Sequence, residues 1–188
     1  MKKVIVEVSA RHLHLSKKDL EKLFSKNYKL RRLKNISQPG QFAAQESLEV
    51  KGPRNSFKKI RIVGPERKNT QIELAITDCF YLGIKPVLKV SGNIKNTPGI
   101  ILRNKNKSIK IKEGVIVAQR HLHISPKEGQ KLGLINKQKI AGIIKGKRGA
   151  ILKEIIVRFG NYKTRLHLDT DEANALGVKN GSIVELKI

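Results

Sequence analysis

Short β-type runs of aliphatic residues, broken by turn signals, recur along the whole chain. They cover Lys3 to Val8, Glu46 to Val50, Lys59 to Val63, Gln71 to Ile76, Val87 to Val90 and Gly99 to Arg103. The second half repeats the pattern at Gly114 to Ala118, Lys139 to Ile144, Ile151 to Phe159, Tyr162 to Leu168 and Ser182 to Ile188. Helical signals are few and brief. Ser16 can cap a helix over Lys17 to Phe24 with Asp19 in its first turn, where a negative charge suits the helix dipole. Thr77 and Asp78 open a second helix closed near Gly83. Ser125-Pro-Lys-Glu128 is a capping box with Pro at the first helical position and Gly133 as its stop, and Thr170 can cap one last turn. Ser37 to Gln41 and the Lys-rich stretch around Asn104 to Lys107 read as turns. Many short strands with small helices predict a mainly β protein built as two compact β-barrels.

Within this pattern the tetrapeptide Arg-His-Leu-His occurs twice, at Arg11 to His14 and Arg120 to His123, each time after a strand and before a Ser-capped helix. Four of the chain's five histidines lie in these copies, and His167 is the fifth. Side chains alternate between faces on an extended strand, so His12 and His14 point the same way, as do His121 and His123. A single His-x-His on a strand is more often a polar face than a ligand set. Nothing in strand propensity asks for it twice, so each copy is read as a two-imidazole claw for a metal, and two claws suggest two metals.

Composition narrows the function classes. With 188 residues at 39% hydrophobic, the chain can bury one sizeable core or two small ones. Glu7 and Arg11 interrupt the apolar start before a signal segment can form, and no run approaches the roughly 18 apolar residues of a membrane span. The single cysteine, Cys79, excludes an intramolecular disulfide, fits a reducing compartment and reads as a small buried apolar residue. The net charge of +25 would suit a nucleic-acid binder. However, the basic residues are spread along the chain and aromatics are only 4%, with no Trp, which leaves little for base stacking. Most of the charge is therefore read as solvated surface, with a few groups serving a small anionic ligand.

In Ile60 to Glu73, Gly64 and Pro65 break the strand and leave Arg67 in a turn, where a guanidinium fork suits an oxyanion. Glu73 lies on the next strand. Taken alone, each of the two also reads as an ordinary surface charge.

The motifs Ser9-Ala-Arg-His-Leu-His-Leu-Ser16, Gln38-Pro-Gly-Gln-Phe-Ala43, Gly64-Pro-Glu-Arg67 with Thr70-Gln-Ile-Glu73, Ala118-Gln-Arg-His-Leu-His-Ile-Ser125 and His167-Leu-Asp-Thr-Asp-Glu-Ala-Asn174 occur in this order. Together they closely resemble the PduL-type phosphate propanoyltransferases over essentially the whole chain. The resemblance implies an enzyme that interconverts acyl-coenzyme A and phosphate with acyl phosphate and coenzyme A, as in propanediol degradation, with propanoyl- or acetyl-coenzyme A as substrate. It implies two zinc ions, one held by His12, His14 and Glu73 and the other by His121, His123 and His167. It makes Arg67 the catalytic, phosphate-binding residue, and Val8, Ser9, Ala10, Arg54, Arg61 and Asn174 contacts of coenzyme A. It also implies an interleaved chain, with 1–15 and 112–188 in a first, discontinuous barrel and 16–111 in a second with its short helices. A homodimer follows from the resemblance as well.

A three-histidine zinc keeps an open fourth position and a coordinated thiol is deprotonated, so that ion is expected to hold the coenzyme A sulfur. The other ion, with Arg67, is expected to position phosphate, and a cation beside the tetrahedral oxyanion is worth about 3 kcal/mol. Two rivals use parts of the same pattern. A binuclear hydrolase would activate water and need no Arg67. A nucleic-acid binder with structural zinc would close each site with four Cys or His, whereas this chain has one Cys. The first claw begins close to Met1, leaving no room for the N-terminal targeting helix of microcompartment-packaged relatives, so a cytoplasmic enzyme is expected.

Overall fold

The computed structural model describes residues 2–188. In chain order its elements are β1 (Lys2–Ser9), β2 (His12–His14), α1 (Lys17–Leu23), β3 (Arg32–Asn35), β4 (Phe42–Lys51), β5 (Ser56–Gly64), β6 (Gln71–Glu73), α2 (Ile76–Leu82), β7 (Leu88–Lys89), β8 (Ile100–Asn104), β9 (Lys107–Ile111) and β10 (Val115–Ala118). They continue with β11 (His121–Ile124), α3 (Pro126–Lys131), β12 (Lys139–Ile144), β13 (Ala150–Phe159), β14 (Arg165–Asp169), α4 (Thr170–Leu176) and β15 (Ile183–Lys187). The expected mainly β class is what forms. The chain divides into two compact units, one made of the chain up to Ala10 with Gln119–Ile188, the other of Arg11–Ala118.

The first unit is a closed six-stranded barrel in the order β1-β14-β11-β13-β12-β15. Period-two alternation builds it: Val4 and Val6 of β1, Leu122 and Ile124 of β11, and Leu166 and Leu168 of β14 all enter one apolar cluster. Full burial of each such side chain is worth roughly 1.5–3 kcal/mol. The residues between them, His121, His123 and His167, are thereby turned to the other face of the sheet.

The second unit is an open sheet in the order β7-β10-β6-β2-β5-β4-β8-β9, with β3 added beside β4. Its core gathers Leu13 of β2, Leu20 and Leu23 of α1, Leu48, Ile62, Ile72 and Leu102. The expected pair of β units is what forms, one sheet closing into a barrel and the other curling into a half-barrel. Among the described residues one end strand, β7, is two residues long, and the other, β9, is covered by α1. Asn104 Nδ2 donates to Leu23 O and Lys107 Nζ to Phe24 O, fastening the β8–β9 hairpin to the end of that helix.

The expected segment limits also move. Residues 11–15 and 112–118 belong to the open-sheet unit, because β2 lies between β5 and β6 and β10 pairs with β6 and β7. β1 runs parallel to β14 and antiparallel to β15. Smaller corrections concern caps and ends. Asp169, rather than Thr170, caps α4, accepting from Glu172 N at 2.8 Å while Glu172 reaches back to Asp169 N at 3.3 Å. Ser125 Oγ accepts from Glu128 N as expected, but the Glu128 carboxylate turns to Thr164 and Lys2, so the box is half made. The run at Gln71 ends at Glu73, because the Asp78 carboxylate accepts Ala75 N at 3.1 Å and starts α2 there.

Candidate metal centres

The antiparallel pairing of β2 with β6 sets His12 opposite Glu73 and His14 opposite Gln71. Claw and carboxylate thus converge by register alone. The donor atoms of His12, His14 and Glu73 all lie within 4.8 Å of one another. His12 Nε2 stands 3.2 Å from His14 Nε2, and Glu73 Oε1 is 3.8 and 3.7 Å from those two nitrogens. Two nitrogens at tetrahedral angles on one Zn²⁺ would be about 3.3 Å apart. The spacing and the mixed imidazole–carboxylate set therefore fit a divalent ion of that size.

His14 Nδ1 lies 2.9 Å from Val63 O, so that nitrogen carries the proton and Nε2 keeps its lone pair for a metal. Burial, reinforced by His12 and Arg67, lowers the His14 pKa to about 3, leaving the ring neutral at physiological pH. Burial by itself would raise Glu73. The cationic field of His12, His14 and Arg67 and the Ser91 hydroxyl outweigh it and hold the carboxyl down at about 2. The neutral His14 contributes little to that field at pH 7, and Ser91 and Arg67 then carry more of the task. Arg67 is half-buried in the turn after β5, where its N–H donates to Leu15 O at 2.9 Å.

Two residues of this group were not among the candidates, Ser91, which has no sequence signal, and Gln71, which lies in a quoted motif. Ser91 Oγ donates to Glu73 Oε1 at 2.8 Å and Gln71 Nε2 to the same oxygen at 2.6 Å. Gly92 N donates to Gln71 Oε1 at 2.7 Å, which fixes the orientation of that amide. Ser91 follows β7, a strand brought near β6 by way of β10, so only the sheet order joins them.

In the barrel, β11 and β14 repeat the arrangement, with His121 opposite His167 and His123 opposite Arg165. The donors of His121, His123 and His167 again lie within 4.8 Å. His121 and His167 stack with their rings 2° from parallel, and His121 Nδ1 lies 2.9 Å from Gln119 O. Tyr162 stacks on His123 at 3.9 Å between centroids, and Glu7 Oε2 approaches His167 Nε2 to 3.9 Å. Neither Tyr162 nor Glu7 was a sequence candidate. Three imidazoles fit a metal that keeps an open position.

The expected coenzyme contacts divide between the units. Val8 and Ser9 end β1 beside β14 and Ala10 follows them, with Val8 N donating to Asn180 Oδ1 at 2.7 Å. Asn174 is exposed on α4, which follows β14, so these four share the barrel with the three-histidine group. Arg54 and Arg61 lie in the open-sheet unit with Arg67. Arg61 sits opposite His12 in the β2–β5 pairing, and its Nη1 donates to the carbonyls of Ala44 and Gln45 at 3.1 and 2.8 Å. Arg54 lies in the β4–β5 turn, its stem against Gly83 at the end of α2. Cys79 is buried at 1% exposure, as its sequence context suggested.

A family model described as phosphate propanoyltransferase matches residues 5–179. A phosphate propanoyltransferase of Sebaldella termitidis is 42% identical over 95% of this chain and 85% of its own length. One of Rhodopseudomonas palustris is 42% identical over 97% of this chain and 81% of its own, and one of Thermotoga maritima 40% over 96% and 87%.

Proposed function

Because the chain belongs to the phosphate propanoyltransferase family, we propose that it moves a short acyl group between coenzyme A and phosphate, using two zinc ions. Propanoyl- and acetyl-coenzyme A are the proposed donors. The observation that carries the reading is the pair of donor clusters, with Arg67 beside the one that contains a carboxylate.

His12, His14 and Glu73 would hold one ion and His121, His123 and His167 the other; zinc bound there would supply Lewis acidity, favouring thiolate over thiol and offsetting anionic charge. Arg67 offers its fork to phosphate, orienting an oxygen toward the thioester carbon and neutralising charge as the tetrahedral oxyanion develops. The O–C bond forms, the C–S bond breaks, and coenzyme A leaves as thiolate. Val8, Ser9, Ala10 and Asn174 of the barrel unit and Arg54 and Arg61 of the open-sheet unit are the proposed contacts of coenzyme A. Cys79 is buried, so an acyl-enzyme on that thiol is not part of the scheme. Among the described residues no helix is long and apolar enough to cross a membrane. Coenzyme A, phosphate and a second copy of the chain, rather than nucleic acid, are the proposed partners.

The test is thiol release from propanoyl- and acetyl-coenzyme A by zinc-loaded protein, with and without phosphate. Release should require phosphate and yield acyl phosphate, should vanish after chelation and return with zinc. Arg67→Ala should lower kcat/KM for phosphate by about 10²–10³-fold. Phosphate-independent release would instead identify a hydrolase.

A further inference from the structure

The two donor groups share a feature beyond their ligands. One residue before each histidine pair stands an arginine, and each arginine grips an acid five positions after the third donor. Arg11 Nε and Nη2 both donate to Asp78 Oδ1, at 2.9 and 2.7 Å, and Asp78 Oδ2 accepts Ala75 N at the start of α2. Arg120 Nε meets Glu172 Oε1 at 2.6 Å, and Glu172 Oε2 accepts Asp169 N at the start of α4. In both cases one carboxylate oxygen begins the helix and the other holds the arginine. Each helix follows the strand bearing the third donor, β6 with Glu73 or β14 with His167, and each ends on a left-handed glycine, Gly83 or Gly177.

We propose that Arg11 and Arg120 are positioning residues, each latching the strand that carries a histidine pair onto the helix that follows the third donor. This rests on the metal-bearing reading given above. Within either group the pair and the third donor sit on different strands, far apart in sequence. Their approach depends on a strand only three residues long in β2 and four in β11. A ladder so short fixes its register weakly, and a second tether across it keeps three donors in place before an ion arrives. Exposed ion pairs contribute little by themselves. Here the acids are largely enclosed, Asp78 at 4% and Glu172 at 18% side-chain exposure, and Arg11 also lies 4.4 Å over the Phe57 ring. The same atoms doing the same thing in both units argues against chance pairing.

The experiment isolates one group at a time in the full chain, with His123→Ala leaving the first group intact and His14→Ala the second. Into each background go Arg11→Met and Arg120→Met, with Arg→Lys versions that keep the charge and lose the fork. Co²⁺ affinity is measured by competition with a chromophoric chelator, together with the visible ligand-field spectrum and the melting temperature. Arg11→Met should weaken the His12, His14 and Glu73 group about tenfold or more and alter its spectrum, leaving the other group unchanged. Arg120→Met should do the converse, and the lysines should fall between. If a methionine variant does not fold by circular dichroism, its lysine counterpart decides by the same comparison. Unchanged affinity and spectrum with only a lower melting temperature would overturn the latch. So would equal loss in both groups whichever arginine is removed. Absence of Co²⁺ uptake by the unsubstituted chain would overturn the metal reading and the latch together, and is told apart because it precedes any arginine substitution.

Discussion

Ser91 and Gln71 both donate to one oxygen of Glu73, the same Oε1 that faces His12 and His14. A carboxylate held this way keeps its charge and its direction when the site is emptied, which is how outer partners of a ligand raise metal affinity. Ser91→Ala should therefore lower metal affinity at this group by about 10–100-fold, measured by chelator competition, with little change in thermal stability. Gln71→Leu should do the same, and the pair together should lose less than the sum because they share one oxygen. The histidines were legible in the sequence because four of five fall in a repeated tetrapeptide. Ser91 was not, since a lone serine after a two-residue strand carries no local mark. Glu73 shows the limit most plainly: its neighbours suggest an exposed strand carboxylate, yet it is 8% exposed because β6 is flanked by β2 and β10.

At the level of elements, the strands that sequence patterning missed are those with little or no apolar face. All four residues of β3 are exposed, and β9 turns inward only Ile109, partly buried, and Ile111, buried. What holds β3's approach is polar. Glu46 on β4 accepts from Tyr28 Oη at 2.9 Å, Arg31 N at 3.1 Å and Arg31 Nε at 2.8 Å. Burial pushes the Glu46 pKa up, but these donors outweigh it and hold it below the usual carboxylate value. A carboxyl with a depressed folded pKa adds stability above its unfolded pKa and loses it as pH falls through the folded one. Glu46→Gln should thus lower the urea midpoint at pH 7, and the gap from the unsubstituted protein should narrow toward pH 3. Gly99 makes the close approach between the start of β8 and the end of β9 possible, since a Cβ there would sit 2.2 Å from Ile111 O and 2.5 Å from Lys112 O. Backbone cannot retreat as a side chain can, so Gly99→Ala should cost about 1–3 kcal/mol in denaturant unfolding.

Over the whole molecule the two claws belong to a duplicated plan with exchanged leading strands. β1 precedes the first claw in sequence but pairs parallel to β14 of the barrel, and β10 precedes the second claw but pairs parallel to β6 of the open sheet. The strand of each third donor is therefore flanked by a claw strand of its own unit and by the leading strand of the other repeat. A chain of residues 11–118 keeps every strand of its sheet and should melt cooperatively on its own. Residues 119–188 lack β1, leaving β14 and β15 with open edges, and should aggregate or stay unfolded until a peptide of residues 2–10 is supplied, as followed by circular dichroism and light scattering. The sequence by itself determined what acts within a few residues: strand alternation, the caps at Ser16 and Ser125, the stop at Gly83, and the facing of each histidine pair. Tertiary structure decided which strands lie side by side. That choice closed one sheet and left the other open, buried Glu73, brought Ser91 to it and set Arg11 and Arg120 on their acids. The reason is physical: alternation tells a strand which face to bury but not which neighbour to take, and ladder bonds between distant segments are selected only when the whole core is packed at once.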